Sequence, residues 1–176
     1  MKDKNTLRKI CLNKRNALSK QERDTFSKQI CLFLEPFLEN KTILSYYPIG
    51  SEVDLTLINE RHEVSYPRIL NQRHMEAYYP QQKRFILGQY SIPEPDPFFS
   101  VFIKKEELDV ILIPCVGFDE KRGRLGHGGG YYDSYLQNYK GLKIGLGFEA
   151  QKVFAVPMEE YDIRPDLIIS EKKIYF

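Results

Sequence analysis

Residues 109–114, Asp-Val-Ile-Leu-Ile-Pro, set four branched aliphatic residues in succession with no polar interruption. A strand with one wet face alternates apolar and polar side chains. An unbroken apolar run belongs to a strand covered on both faces, as in a parallel sheet. Outward from this run, further strand-like stretches lie at 42–47, 63–67, 75–79, 143–148 and 166–170. Helical patterns fall among them. Residues 5–18 set Leu7, Ile10, Cys11 and Leu18 on one side, and Ser19-x-x-Glu22 is a capping box that predicts a second helix to about Leu38. Shorter helices are predicted at 52–61 and 131–139. Residues 81–97 are proline-rich without periodicity and predict a long loop. Helices alternating with short apolar strands predict one α/β domain over 1–176, a three-layer αβα stack with a mostly parallel sheet, Rossmann-like.

Composition agrees. The chain is 42% hydrophobic and 28% charged, enough for a full core and unlike a disordered or membrane-spanning protein. Its first fifteen residues are charged throughout and lack the apolar segment of a signal peptide. Cys11, Cys31 and Cys115 are odd in number and far apart, which predicts reduced thiols in a cytoplasm, with neither a disulfide framework nor a zinc site. Residues 1–28 carry nine Lys or Arg against three Asp or Glu, +6, so the rest of a chain of net +2 carries −4. Such a segment suits a polyanion or a solvated helix face. Lys4, Arg8 and Arg15 are spaced to share one face.

In open α/β sheets ligands sit beyond the carboxyl ends of strands. Three segments fall there: 47–54 (Tyr-Pro-Ile-Gly-Ser-Glu-Val-Asp), 115–119 leading into a glycine run, and 147–151. The run itself, Arg124-Leu-Gly-His-Gly-Gly-Gly-Tyr-Tyr-Asp133, lacks the Lys-Ser/Thr of a Walker loop and the third glycine of a dinucleotide fingerprint. Two readings remain. Bare backbone that opens a helix can present N–H groups to an anion, with Arg124 adding charge and Asp133 facing a magnesium ion. Equally, glycines permit close helix–sheet packing with the tyrosines as core.

The same ten residues, preceded by Ile-Pro-Cys-Val-Gly-Phe-Asp at 113–119, resemble the signature of the 5-formyltetrahydrofolate cyclo-ligases. The likeness extends to the Lys4-x-x-x-Arg8 helix, to Ser51-Glu-Val-Asp54, and to Phe148-Glu-Ala-Gln151 followed by Tyr161-Asp-Ile-Arg-Pro-Asp166. It implies an enzyme that uses ATP and magnesium to turn 5-formyltetrahydrofolate into 5,10-methenyltetrahydrofolate, releasing ADP and phosphate. By this resemblance Lys4, Arg8 and Arg124 neutralise phosphate charge. Lys4, Asn5, Thr6, Leu7, Arg8 and residues Arg124, Leu125, Gly126, His127, Gly128, Gly129, Gly130, Tyr131 and Tyr132 hold ATP. Tyr47, Glu52 and the His127–Tyr131 segment hold the folate, and Asp133 and Asp166 approach magnesium. Tyr131 and Phe118 are candidate walls for the pterin, while Tyr46 and Cys115 read as core and Arg15 as surface. His127 stands where an arginine is common, and Gly129 where some relatives have lysine, so this loop carries less charge.

The implied partners are these two small molecules, without nucleic acid or membrane, for a cytoplasmic monomer. Competing readings are a phosphate-binding enzyme that uses no ATP, a nucleic-acid module led by the basic helix, and a catalytically dead folate binder.

Overall fold

A computed structural model describes residues 3–176. Helix α1 (Lys4–Ala17) is capped by Asp3, whose carboxylate accepts the Asn5 and Thr6 amides. Helix α2 (Lys20–Leu34) opens on the capping box read from its spacing. Strand β1 (Ile43–Leu44) is only the start of the 42–47 run, and Ser45 still donates to Ser65 beyond it. Helix α3 (Thr56–Arg61) begins later than Glu52, because Asp54 accepts the Thr56 amide and sets the start there. Strands β2 (Val64–Asn71) and β3 (His74–Pro80) form an antiparallel hairpin.

The stretch expected as a loop contains a second hairpin, β4 (Phe85–Leu87) with β5 (Pro93–Pro95). In a two-stranded ribbon each strand has an open side, where proline forfeits no ladder bond. Between the two prolines Glu94 turns inward and accepts the Ile69 amide. An unforeseen edge strand, β6 (Ser100–Ile103), pairs with β3. The decisive run is β7 (Val110–Pro114). A small hairpin follows, β8 (Gly117–Phe118) with β9 (Arg124–Leu125).

Helix α4 (Tyr131–Tyr135) is a single turn where nine helical residues were expected. Asn138 takes a left-handed conformation, φ +61°, and Tyr139 turns into the core to donate to the Leu108 carbonyl. The chain ends on β10 (Leu142–Leu146), β11 (Leu167–Ile169) and β12 (Ile174–Tyr175).

The main sheet runs β12-β11-β10-β7-β1-β2-β3-β6. The five strands from β11 to β2 are mutually parallel, with antiparallel partners at both margins. Strand β7 shows why its run is unbroken. Val110 and Leu112 enter a core shared with α2 and α3, while Ile111 and Ile113 enter a second core with Leu136 and Tyr139. Each such aliphatic side chain contributes about 1.5–3 kcal/mol by burial. The second face is thinly helical. It is covered by α4 and by the β8–β9 hairpin, where Phe118 meets Ile168 and Tyr175 and α1 packs outside. Among the described residues no helix is long and apolar enough to cross a membrane.

Taken in chain order, the five parallel strands stand 2-1-3-4-5 across the sheet. The direction of winding therefore reverses between β1 and β7. At such a switch point the loops leaving two neighbouring strands diverge and open a crevice. Here those loops carry Tyr46 to Asp54 on one side, and Cys115 through the glycine run on the other.

Candidate active site

Three arginines from three elements face the glycine run. A Cβ placed on Gly126 would lie 3.0 Å from Nη1 of Arg124, one on Gly128 would lie 3.3 Å from Cζ of Arg8, and one on Gly130 would lie 3.4 Å from Nε of Arg73. Gly128 and Gly130 also hold φ of +102° and +71°, a region that residues with a Cβ avoid. The guanidinium groups thus lie close against the bare backbone of the run. Among the described residues, the backbone N–H groups of 126–133 donate to no protein acceptor. Because α4 is one turn long, its dipole adds little, and the positive potential comes from the arginines.

Each arginine is held differently. Arg8 donates from Nε to the Gly126 carbonyl at 2.9 Å and from Nη1 to Asn5 at 2.6 Å. Arg124 is buried and donates to Asp133 Oδ1 at 2.9 Å, while its Nε has no partner among the described residues. Arg73 comes from the turn between β2 and β3, where no motif or periodicity marks it.

Across the crevice lies Glu52. It is buried, one carboxylate oxygen accepts the Ile49 amide, and the other lies 3.0 Å from Nε2 of His127. Arg15 stands 3.9 Å from the same carboxylate and donates to Ser51 at 2.9 Å. The expectation of a surface Arg15 is therefore overturned. It is 4% exposed, and burial disfavours its charge while Glu52 supports it. Its place on the Lys4–Arg8 face, below the buried Cys11, was the available clue.

Tyr46 is core, donating to the Val53 carbonyl, and Tyr47 is exposed beside it, as the alternation of a strand requires. Tyr47, Tyr66 and Phe85 form an aromatic cluster with ring centroids 5.2–6.5 Å apart. With Glu52 and Asn59 they help line a cavity of about 720 Å³, large enough for a bicyclic ligand. The β4–β5 hairpin carries Tyr90 to Tyr131, whose phenol is pushed up by the Tyr90 hydroxyl. Tyr132 is pushed up by burial and then by the Glu52 charge.

Other assignments fall differently. Lys4 is occupied by Glu159 and Asp162, each at 2.6 Å. Thr6 donates to Asp3, and Leu7 packs on Leu125 and Val156. Phe118 is fully buried against Tyr175, so it is no wall for a ligand. Cys115 is a buried thiol pushed up to about 12 by desolvation, and all three cysteines are free. Asp133 also accepts the Ile163 amide at 3.2 Å. Asp166 turns to Lys143 rather than to the glycine run: its Oδ2 accepts from that residue's amide and ammonium, both at 2.8 Å, near the amino ends of β10 and β11. Among the described residues no three His, Cys, Asp or Glu side chains gather to cage a metal ion.

Comparison with known proteins places the chain among relatives of one kind. A 5-formyltetrahydrofolate cyclo-ligase from Mycoplasma pneumoniae is 35% identical over 176 residues, covering 97% of this chain and 99% of its own. One from Haemophilus influenzae is 27% identical over 89% of each chain. The solution structure of a 5,10-methenyltetrahydrofolate synthetase from Aquifex aeolicus superposes with a TM-score of 0.85 at 32% identity, covering 97% of this chain and 91% of that one. The profile of the 5-formyltetrahydrofolate cyclo-ligase family matches residues 1–171, and the chain belongs to that family.

Proposed function

We propose that this protein closes 5-formyltetrahydrofolate to 5,10-methenyltetrahydrofolate at the expense of ATP. The observation that carries the reading is the triad of arginines against alternate glycines, facing Glu52 and an aromatic cavity across the switch point. A polyanion fits the first half, and a flat, donor-rich ring system fits the second.

The formyl oxygen is a poor leaving group until it is phosphorylated. It attacks the γ-phosphorus and ADP departs; N10 then bonds to the formyl carbon and gives up its proton, and the carbon–oxygen bond breaks as phosphate leaves. Catalysis of this kind is mostly placement and charge neutralisation. Arg8 and Arg124 are held at the run to receive phosphate oxygens, while the unbonded N–H groups of 126–133 supply further donors. Glu52 is an acceptor for the ring N–H and amino groups of a pterin, and Tyr47 with Phe85 gives it apolar walls.

Magnesium would neutralise phosphate charge in the same place. It suits a site with one or two carboxylates, phosphate oxygens and water. Asp133 fits, since only its Oδ1 is engaged among the described residues. Asp166, given over to Lys143, does not add a second carboxylate. The protein acts as a cytoplasmic monomer with two small-molecule substrates.

The test is absorbance at the methenyl band with purified protein, 5-formyltetrahydrofolate, ATP and magnesium. A rise that requires ATP is expected. No rise with intact reagents and folded protein would leave a binding protein without the reaction.

A further inference from the structure

We propose that Arg73, on the turn between β2 and β3, is a third phosphate-binding arginine of the ATP site, set against Gly130 of the glycine run as Arg8 of α1 is set against Gly128. The inference rests on the reading of that run as the ATP-phosphate site. Four observations carry it. Arg73 lies against Gly130 as Arg8 lies against Gly128, with its Nε 3.4 Å from where a Cβ would stand. Gly130 is itself held at φ +71°, which disfavours a side chain there, and a Cβ would sit in van der Waals contact with Arg73. Among the described residues Arg73 has no hydrogen bond and no ion pair, unlike Lys4 and Arg124, whose charges are already met by carboxylates. Finally, Arg73 adopts φ +60° in a turn closed by the Asn71–His74 pair, a position that suits glycine or asparagine better than arginine.

Gly128 and Gly130 are two residues apart, so their Cα atoms are separated by at most roughly 7 Å. That is the reach of one triphosphate chain, and a guanidinium at each end can pair with phosphate oxygens in a fork. Among the described residues Arg8 and Arg73 are the two arginines at the run with no carboxylate partner. Two elements distant in sequence, the first helix and a hairpin turn, thereby grip one polyanion.

The test uses Arg73→Asn and Arg73→Lys in the full chain. Asparagine tolerates the left-handed turn, so Arg73→Asn removes the charge and leaves the hairpin at least as stable. The expected result is an ATP KM raised about tenfold in Arg73→Asn, with the folate KM and the melting temperature unchanged. Arg73→Lys should regain much of the loss. Direct titration with ATP alone should show the same weakening. An ATP KM and ATP affinity equal to wild type would overturn the proposal, as would a rise confined to the folate KM, which would put the guanidinium on the folate's carboxylates. If the wild type binds ATP but forms no methenyl product, the reaction fails as a reading, and the ATP affinities of the two proteins still decide on Arg73.

Discussion

Glu52 and His127 stand 75 positions apart in the chain and share a 3.0 Å hydrogen bond that ties the β1 loop to the glycine run. Behind this bond Arg15 and Glu52 are both buried, 3.9 Å apart. Neutralising one member of a buried pair leaves the other uncompensated, which costs about 3–5 kcal/mol. Glu52→Gln should therefore lower stability by an amount of that order and abolish methenyl formation. Arg15→Met combined with Glu52→Gln should recover much of the stability but none of the activity. Denaturant unfolding of wild type and the two variants checks this, and a Glu52→Gln protein as stable as wild type would show that the pair is not coupled.

Gly128 offers a cleaner probe of the run. At φ +102°, with Arg8 Cζ only 3.3 Å from a Cβ, alanine there both strains the backbone and displaces the guanidinium. Gly50, at φ +61° with nothing within 4 Å, gives the backbone cost alone, about 1–2 kcal/mol. Both alanine variants should melt lower by similar amounts. Only Gly128→Ala should also lose turnover, because the Arg8 guanidinium must give way by a few tenths of an ångström. Equal losses of activity would mean that the run is a packing device.

How much of this was legible follows from where the information sits. The unbroken apolar residues of β7 announce a covered strand, because period and polarity are local properties. Ser19 and Glu22 announce α2 for the same reason. The β4–β5 hairpin was invisible, since Pro93 and Pro95 read as breakers unless the open side of each strand is known. Arg15 gives no sign beyond its place on the Lys4–Arg8 face, and Arg73 looks like any surface arginine. Only the folded chain shows that one is sealed beside Glu52 and the other laid over Gly130.

Among the cations proposed to bind phosphate, Arg8 should matter more than Lys4. Lys4 is held by two carboxylates at 2.6 Å, whereas among the described residues Arg8 has only neutral acceptors. Arg8→Gln should raise the ATP KM about tenfold or more, and Lys4→Met by less. The reverse order in steady-state kinetics would mean that Lys4 leaves Glu159 and Asp162 when ATP arrives.

Acid stability has a named contributor. Burial alone would raise the Glu149 carboxyl, but donors from Tyr175, Ser170 and Lys152 outweigh it and hold the group below its ordinary value of 4.5. A carboxylate depressed in the folded state adds stability above its unfolded pKa and loses it as pH falls through the folded value. Stability should thus decline below about pH 4.5. Glu149→Gln should cost stability at pH 7 and flatten that acid limb. Parallel slopes for both proteins, measured by urea unfolding from pH 7 to 3, would remove Glu149 from the account.

Asp133 separates a structural role from a metal role. Its Oδ1 serves Arg124 at 2.9 Å and the Ile163 amide at 3.2 Å, and Oδ2 has no partner among the described residues. Asparagine preserves an acceptor for both donors while removing the charge a magnesium ion needs. If Oδ2 meets the ion, Asp133→Asn should raise the magnesium concentration for half-maximal rate about tenfold, since one carboxylate is a large share of such a site. Stability without ATP should fall by about 1–3 kcal/mol, the charge-assisted part of the Arg124 bond. An unchanged magnesium dependence with the same loss of stability would reduce Asp133 to the partner that orients Arg124. The glycine run would then meet its metal through phosphate oxygens and water alone.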